Sequence, residues 1–233
     1  MRVSVVVPSY NEARYIERSL RALRNVGVYE IIVVDGGSED GTVEIAERYA
    51  DIVESSPVYD SPAKARNAGI RIASGDIVAF VDADTVVSTS WLSAIMEGFG
   101  EGVVGVTGPA FPLEEDGLGL LISYIVSYDI LVRLTHLLGR PQFLGFNIAY
   151  RKDILEAVGG FKEDVVVSED ALLSMMAYRL GKLRFLPKMS VYTSARRLRK
   201  RGMGESIFYL LYNGLSVILF EKPFRAYPKV SGG

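Results

Sequence analysis

The sequence predicts an α/β fold built on a Rossmann-like, mostly parallel twisted sheet flanked by helices. Its first half alternates short β-branched runs with segments of helical period, the pattern of consecutive βαβ units. The residues after the strand-like runs are polar and rich in Gly and Asp, as expected where such a sheet opens a ligand crevice beyond the carboxyl ends of its strands. Length agrees with this: 233 residues, 49% of them hydrophobic, suffice for one domain with a sizeable core and are short for two.

Val3 to Val7 reads as the first strand, a continuous apolar run suited to burial on both faces. A helix over Ala13 to Leu23 follows, then a strand over Ile31 to Val34 and helices over Thr42 to Tyr49 and Pro62 to Ala73. Ile77 to Val81 is a strand, Trp91 to Phe99 a helix and Val103 to Thr107 a strand. Several of these helices begin at Ser, Thr or Gly, which favour helix starts. The second half is less regular. It holds a long helix (Leu118 to Leu138), a Gly-bearing stretch at Leu144 to Asn147, the turn Gly159-Gly160-Phe161 and a helix beginning near Glu169, with Ser168 as its expected N-cap. No internal repeat or low-complexity linker separates the halves, so they read as one domain.

The net charge of −2 argues against general nucleic-acid binding, although Arg196, Arg197, Arg199, Lys200 and Arg201 form a local basic run suited to phosphate or an anionic membrane surface. With no cysteine in the chain, a metal would be held by oxygen ligands or by His136, the single histidine. His136 belongs instead to a polar stripe with Asp129, Arg133 and Arg140, which makes the long apolar helix amphipathic rather than membrane-spanning. A second apolar stretch, Ile207 to Phe220, is short for a span and is interrupted by Asn213 and Gly214. The first residues lack the basic and apolar regions of a signal peptide. The expected location is cytoplasmic, with peripheral contact at the cytoplasmic face of a membrane or homo-oligomerisation through the apolar helices. Trp91, Phe208, Tyr209 and Tyr212 read as packing or interface residues rather than a sugar platform.

Three strand ends carry the candidate chemistry: Pro8-Ser9-Tyr10-Asn11-Glu12, Asp35-Gly36-Gly37-Ser38 with Asp40-Gly41-Thr42, and Asp82-Ala83-Asp84. The spacing of Asp82 and Asp84 lets both carboxylates approach one ligand, and oxygen ligands of this kind suit Mg²⁺ or Mn²⁺. Asp35 is placed to accept hydrogen bonds from a base or ribose, while Asp40 or Thr42 caps the next helix. Lys64 and Arg66, on a helix with small neighbours, supply cations for a phosphorylated ligand. Glu169 and Asp170 open a helix, where a carboxylate can act as general base or merely complement the helix dipole.

Taken in order, these motifs, together with Ala65-Arg66-Asn67-Ala68-Gly69, Gly159-Gly160-Phe161 and Glu169-Asp170, resemble family 2 glycosyltransferases of the GT-A fold. The resemblance covers most of the chain. It implies that residues 1–110 bind the nucleotide sugar, that 111–203 form the acceptor and catalytic side, and that 204–233 are an apolar helix and tail. It implies that Pro8, Tyr10, Glu12 and Asp35 line the nucleoside pocket, that Arg66 lies near the diphosphate, that Asp82 contacts ribose and that Asp84 binds the metal. Asp170 is then the base of an inverting single displacement, with Glu169 as companion. Thr193-Ser194-Ala195-Arg196-Arg197 resembles a segment that contacts donor phosphates in a subset of these enzymes. Some relatives carry a histidine metal ligand after the base-bearing helix, where this chain has Val191-Tyr192-Thr193-Ser194; Asp84, phosphates and water are left to hold the ion.

The resulting expectation is an inverting glycosyltransferase using Mn²⁺ or Mg²⁺ and a nucleotide sugar, UDP-linked ahead of GDP-mannose, with a glycan, glycolipid or lipid-phosphate acceptor. The nearest rival keeps the fold and makes a polyprenyl-phosphate sugar. A nucleotidyltransferase lacks support because the Gly-rich basic loop expected after the first strand is missing, and a noncatalytic glycan-binding domain leaves Asp82, Asp84 and Asp170 unexplained.

Overall fold

A computed structural model describes residues 1–113, 124, 129–165, 167–196 and 212. Seven strands build its main sheet: β1 (Val3–Ser9), β2 (Glu30–Asp35), β3 (Ile52–Ser55), β4 (Ile77–Phe80), β6 (Val103–Thr107), β8 (Ile148–Arg151) and β9 (Lys182–Phe185). Their order across the sheet is β3-β2-β1-β4-β8-β6-β9. A second sheet orders β5 (Thr85–Val87), β10 (Val191–Thr193) and β7 (Ala110–Pro112) as β5-β10-β7. The helices are α1 (Ile16–Val26), α2 (Thr42–Ala46), α3 (Pro62–Ile72), α4 (Trp91–Gly98), α5 (Leu131–Leu137), α6 (Lys152–Val158) and α7 (Glu169–Tyr178).

The β-branched runs form strands because side chains alternate between two dry faces. Val5 and Val7 of β1, Ile31 and Val33 of β2, and Ala79 of β4 enter one core with Ile16, Leu20 and Leu23 of α1. Val6, Ile32, Val34 and Phe80 enter the opposite core with Phe143, Tyr150 and Phe161. Helix α3 starts at Ser61, whose hydroxyl accepts from the Lys64 amide at 3.3 Å, with Pro62 at the first helical position. It lies so close to β1 that a methyl at Gly69 would come within 2.3 Å of Val6.

β1, β2, β3 and β4 are mutually parallel, and β6 is parallel to β9. β8 runs antiparallel between β4 and β6. β1 sits between β2 and β4, so the chain leaves it in opposite directions, and the crevice that such a reversal creates lies at the carboxyl ends of β1 and β4. A cleft of about 600 Å³ opens at the opposite end of the strands, lined among others by Met1, Asp76, Val103 and Arg151, away from the strand-end acids.

Several expectations shift. The first helix begins at Ile16 rather than Ala13, because Asn11 takes a left-handed φ of 53° and residues 13–15 complete a turn on the Glu12 carbonyl. The second helix ends at Ala46 rather than Tyr49. Ser168 stands at the N-cap of α7, but its φ of 64° is left-handed and its side chain makes no capping bond. Trp91 is core, fully buried and donating from Nε1 to Asn147 at 2.9 Å. Of the apolar stretch Leu118 to Leu138, residues 118–123 and 125–128 lie outside the described residues, as does Ile207 to Phe220 apart from Tyr212. The described part carries the Asp129–Arg133 ion pair at 2.7 Å, yet Leu134, Leu137 and Leu138 are exposed beside it. Among the described residues no helix is long and apolar enough to cross a membrane.

Candidate active site

The crevice is organised by two loops fastened to each other. The Asn11 amide donates to Ser38 Oγ at 2.7 Å, the Glu39 amide to Asn11 Oδ1 at 3.0 Å, and the Glu12 amide to Thr42 Oγ1 at 2.8 Å. Asp40 accepts from the Thr42 amide at 3.1 Å, but the N-cap of α2 is Gly41, with φ 89°, so neither Asp40 nor Thr42 caps that helix as expected. Asp35 behaves differently from the expectation of a nucleoside contact. It is fully buried and accepts from the amides of Gly37 and Ser38 and the hydroxyls of Ser9, Ser38 and Ser55. A carboxylate offers about four lone-pair positions, so these donors consume its capacity and make Asp35 the knot of the loop. Tyr10 stands at the rim, 54% exposed, with Pro8 partly buried behind it.

Asp82 and Asp84 were expected to share one ligand. Residues 83 and 84 already form a turn, so strand alternation no longer applies, and different arginines hold the two carboxylates. Arg66 Nη2 donates to Asp82 at 2.9 Å and Nη1 to Glu169 at 2.8 Å. Its side chain is only 5% exposed, stacks over Phe161 at 5.4 Å and fits against Gly145, where an added methyl would come within 2.8 Å of the guanidinium. Arg66 thus bridges the end of β4 to the start of α7. Burial works against its charge, but Asp82, Glu169 and Asp170 together hold the guanidinium firmly protonated.

Asp170 accepts from the Gly145 amide at 2.6 Å and the Ala171 amide at 2.8 Å. Its first helical turn is pinned by Ser174, whose hydroxyl donates to the Asp170 carbonyl at 2.8 Å and also meets Tyr150 Oη at 2.9 Å. Burial raises the pKa of Asp170, with Arg66 and the two amides opposing. Glu169 is pushed up to about 7 by burial and by the Asp170 charge, again against Arg66. Burial therefore favours the protonated form of both adjacent acids, and Arg66 opposes it.

On the other side, the small sheet determines who meets Asp84. β10 pairs antiparallel with β5, Thr193 opposite Thr85, and their hydroxyls bond at 2.8 Å. This brings Arg196 onto Glu12 and, at 3.2 Å, onto Asp84, with its guanidinium 4.9 Å from the Tyr15 ring centroid. Arg197 lies outside the described residues.

Gly145, Tyr15 and Phe161 escaped sequence reasoning as site residues. Asn67 serves the structure of the site: its side-chain oxygen accepts from the Phe161 amide at 2.8 Å and its nitrogen donates to the Phe161 carbonyl at 2.9 Å, fixing the turn that supports Arg66. Gly160 is required there, with φ 70° and the Asn67 side-chain oxygen 2.4 Å from any added methyl.

A Rossmann-like sheet with acids after β4, a second small sheet beside them and a carboxylate pair opening α7 is the GT-A glycosyltransferase architecture. The profile of the family Glycosyl transferase family 2 matches residues 4–159, and the chain belongs to that family. It is 29% identical over 177 residues to the glycosyltransferase AglE of Haloferax volcanii, covering 72% of this chain and 58% of that protein. Among solved structures it resembles the Pyrobaculum calidifontis mannosyltransferase PcManGT in complex with GDP-Man and Mn²⁺ (TM-score 0.69, 25% identity, 92% of this chain and 61% of the other). It also shares its fold with the Mycobacterium tuberculosis glucosyl-3-phosphoglycerate synthase (TM-score 0.64, 22% identity, 91% of this chain and 78% of the other). The chain thus spans about three-fifths of AglE and PcManGT.

Proposed function

We propose that this chain transfers a sugar, with inversion, from a nucleoside-diphosphate donor to an acceptor hydroxyl, with Asp170 as general base. The observation that carries the reading is the pair Glu169–Asp170: partly buried, fixed by Gly145 and Ser174, and tied through Arg66 to the strand-end acid Asp82. A base for attack on an anomeric carbon must be ionised, oriented and close to the donor, and the two amides that hold the Asp170 carboxylate support the second of these. Inversion follows from attack on the face opposite the leaving group. Pro8, Tyr10 and Glu12 form the nucleoside side, with Asp35 acting through the loop it organises. Family membership and the GDP-Man complex of PcManGT support a nucleotide-sugar donor; UDP and GDP sugars are both candidates.

A divalent cation fits the residues present. The donor set at Asp84 and Glu12 is all oxygen, as Mn²⁺ and Mg²⁺ prefer, and Glu12 Oε2 is buried without a hydrogen-bond partner among the described residues. Mg²⁺-type sites commonly use one or two carboxylates and leave the remaining positions to substrate phosphates and water. When bound, the cation supplies charge neutralisation for the departing pyrophosphate.

The pH profile tests the base assignment. Because Asp170 acts ionised and burial raises its pKa, kcat is expected to rise with pH along an acidic limb above the ordinary carboxylate range near 4. Glu169→Gln keeps the acceptor for Arg66 but removes the neighbouring charge, so the limb moves to lower pH. A wild-type limb near 4, or one that Glu169→Gln leaves in place, contradicts the assignment.

A further inference from the structure

Arg196 occupies an unusual position. One guanidinium nitrogen, Nη2, reaches both the Glu12 and the Asp84 carboxylates, which follow the adjacent strands β1 and β4. The second oxygen of Glu12 is shielded from solvent and accepts no hydrogen bond among the described residues. Both carboxylates stand on fixed backbone: the Glu12 amide is bonded to Thr42, its carbonyl accepts from Tyr15 and Ile16, and the Asp84 carbonyl accepts from the Ser194 amide at 3.2 Å. Arg196, by contrast, extends from the end of β10 on a long stem over Tyr15, is 22% exposed, and can leave by rotating its own side chain.

We propose that Arg196 is an internal counter-ion seated at the divalent-cation position, that Glu12 and Asp84 are the two carboxylates of that position, and that cation and guanidinium exchange there when donor binds. The inference rests on the reading of Asp84 as the metal-binding acid. A cation at about 2.1 Å from the Asp84 oxygen crowds a guanidinium already ion-paired with it at 3.2 Å, and two positive groups repel across so short a gap, so they compete for the site. Asp82, by contrast, pairs through one oxygen with Arg66 rather than with Arg196. Once displaced, Arg196 finds its nearest new anion in the donor's diphosphate, which accepts the arginine fork well. Cation alone therefore binds against a competitor, whereas cation with nucleoside diphosphate gives that competitor somewhere to go.

The test is titration of Mn²⁺ followed by the spectrum of the free aquo ion, on wild type, Arg196→Gln, Glu12→Gln and Asp84→Asn, without nucleotide and with UDP or GDP. Without nucleotide, Arg196→Gln is expected to bind Mn²⁺ about tenfold or more tightly than wild type, the scale of one charge-assisted hydrogen bond, and Glu12→Gln to bind more weakly. Adding nucleotide tightens Mn²⁺ binding more in wild type than in Arg196→Gln. Equal or weaker Mn²⁺ binding by Arg196→Gln without nucleotide overturns the exchange, and unchanged binding by Glu12→Gln removes Glu12 from the site. If wild type with UDP or GDP takes up no Mn²⁺, or Asp84→Asn takes it up equally well, the metal reading itself fails and the exchange falls with it.

Discussion

Asp170→Asn is expected to lower kcat by about two to four orders of magnitude while nucleotide affinity is retained, the range over which a positioned general base contributes. The substitution keeps the shape of the side chain and lets its remaining oxygen accept from the Gly145 amide. It loses the acceptor for Ala171, because an amide nitrogen only donates, but that bond lies within the first turn of α7 and its loss is local. Asp170 is held by Gly145 and Ala171 rather than by Glu12, Asp84 or Tyr10, so donor binding is spared. Single-turnover rates and nucleotide titrations on the same preparation separate the two effects. Equal loss of rate and affinity contradicts the role of Asp170 as base.

Arg66→Met is expected to destabilise the fold by about 3–5 kcal/mol at pH 8, the cost of removing one partner from a buried ion pair. Methionine preserves much of the stem over Phe161, so the loss is mainly electrostatic. Without Arg66, the buried acids Glu169 and Asp170 retain the burial that raises their pKa values and lose the cation that lowers them. Both folded pKa values therefore move further above the unfolded ones. Such groups stabilise the fold fully below the unfolded pKa, and that contribution is lost as pH rises through the folded pKa. The variant is thus least impaired in mild acid and most impaired above neutrality. Urea unfolding at pH 5.5 and pH 8 measures this; a penalty independent of pH indicates that Arg66 acts by packing rather than by charge.

The parts of the fold legible in the sequence are those whose signal is local. Val103 to Thr107 emerges with its bounds unchanged, and α3 and α4 start where Pro62 and Trp91 place them, because apolar period and capping residues are read over neighbouring positions. β5, β7 and β10 escaped because three residues cannot display a period of two, and β3 because its sequence, Ile52 to Ser55, turns polar and exposed at its end. Yet these short strands steer the site, since β10 delivers Arg196 to Asp84. The acids were legible as types at strand and helix ends; their partners were not. Arg66 meets Glu169 across 103 positions and Asn67 meets Phe161 across 94, distances over which no local pattern carries information. Asp35 shows the same limit from the other side, since its acidity suggested a ligand while Ser9 of β1 and Ser55 of β3, together with the amides and hydroxyl of its own loop, use it internally.

On the proposed function, the crevice at Glu12 and Asp84 binds a nucleoside diphosphate together with a divalent cation. Calorimetric titration with UDP and with GDP, each in Mn²⁺ and again in EDTA, tests it most directly on wild type and Asp84→Ala. Binding of at least one nucleotide is expected to depend on Mn²⁺ and to be lost in Asp84→Ala. Absence of binding by either nucleotide, or binding indifferent to both EDTA and Asp84→Ala, contradicts it.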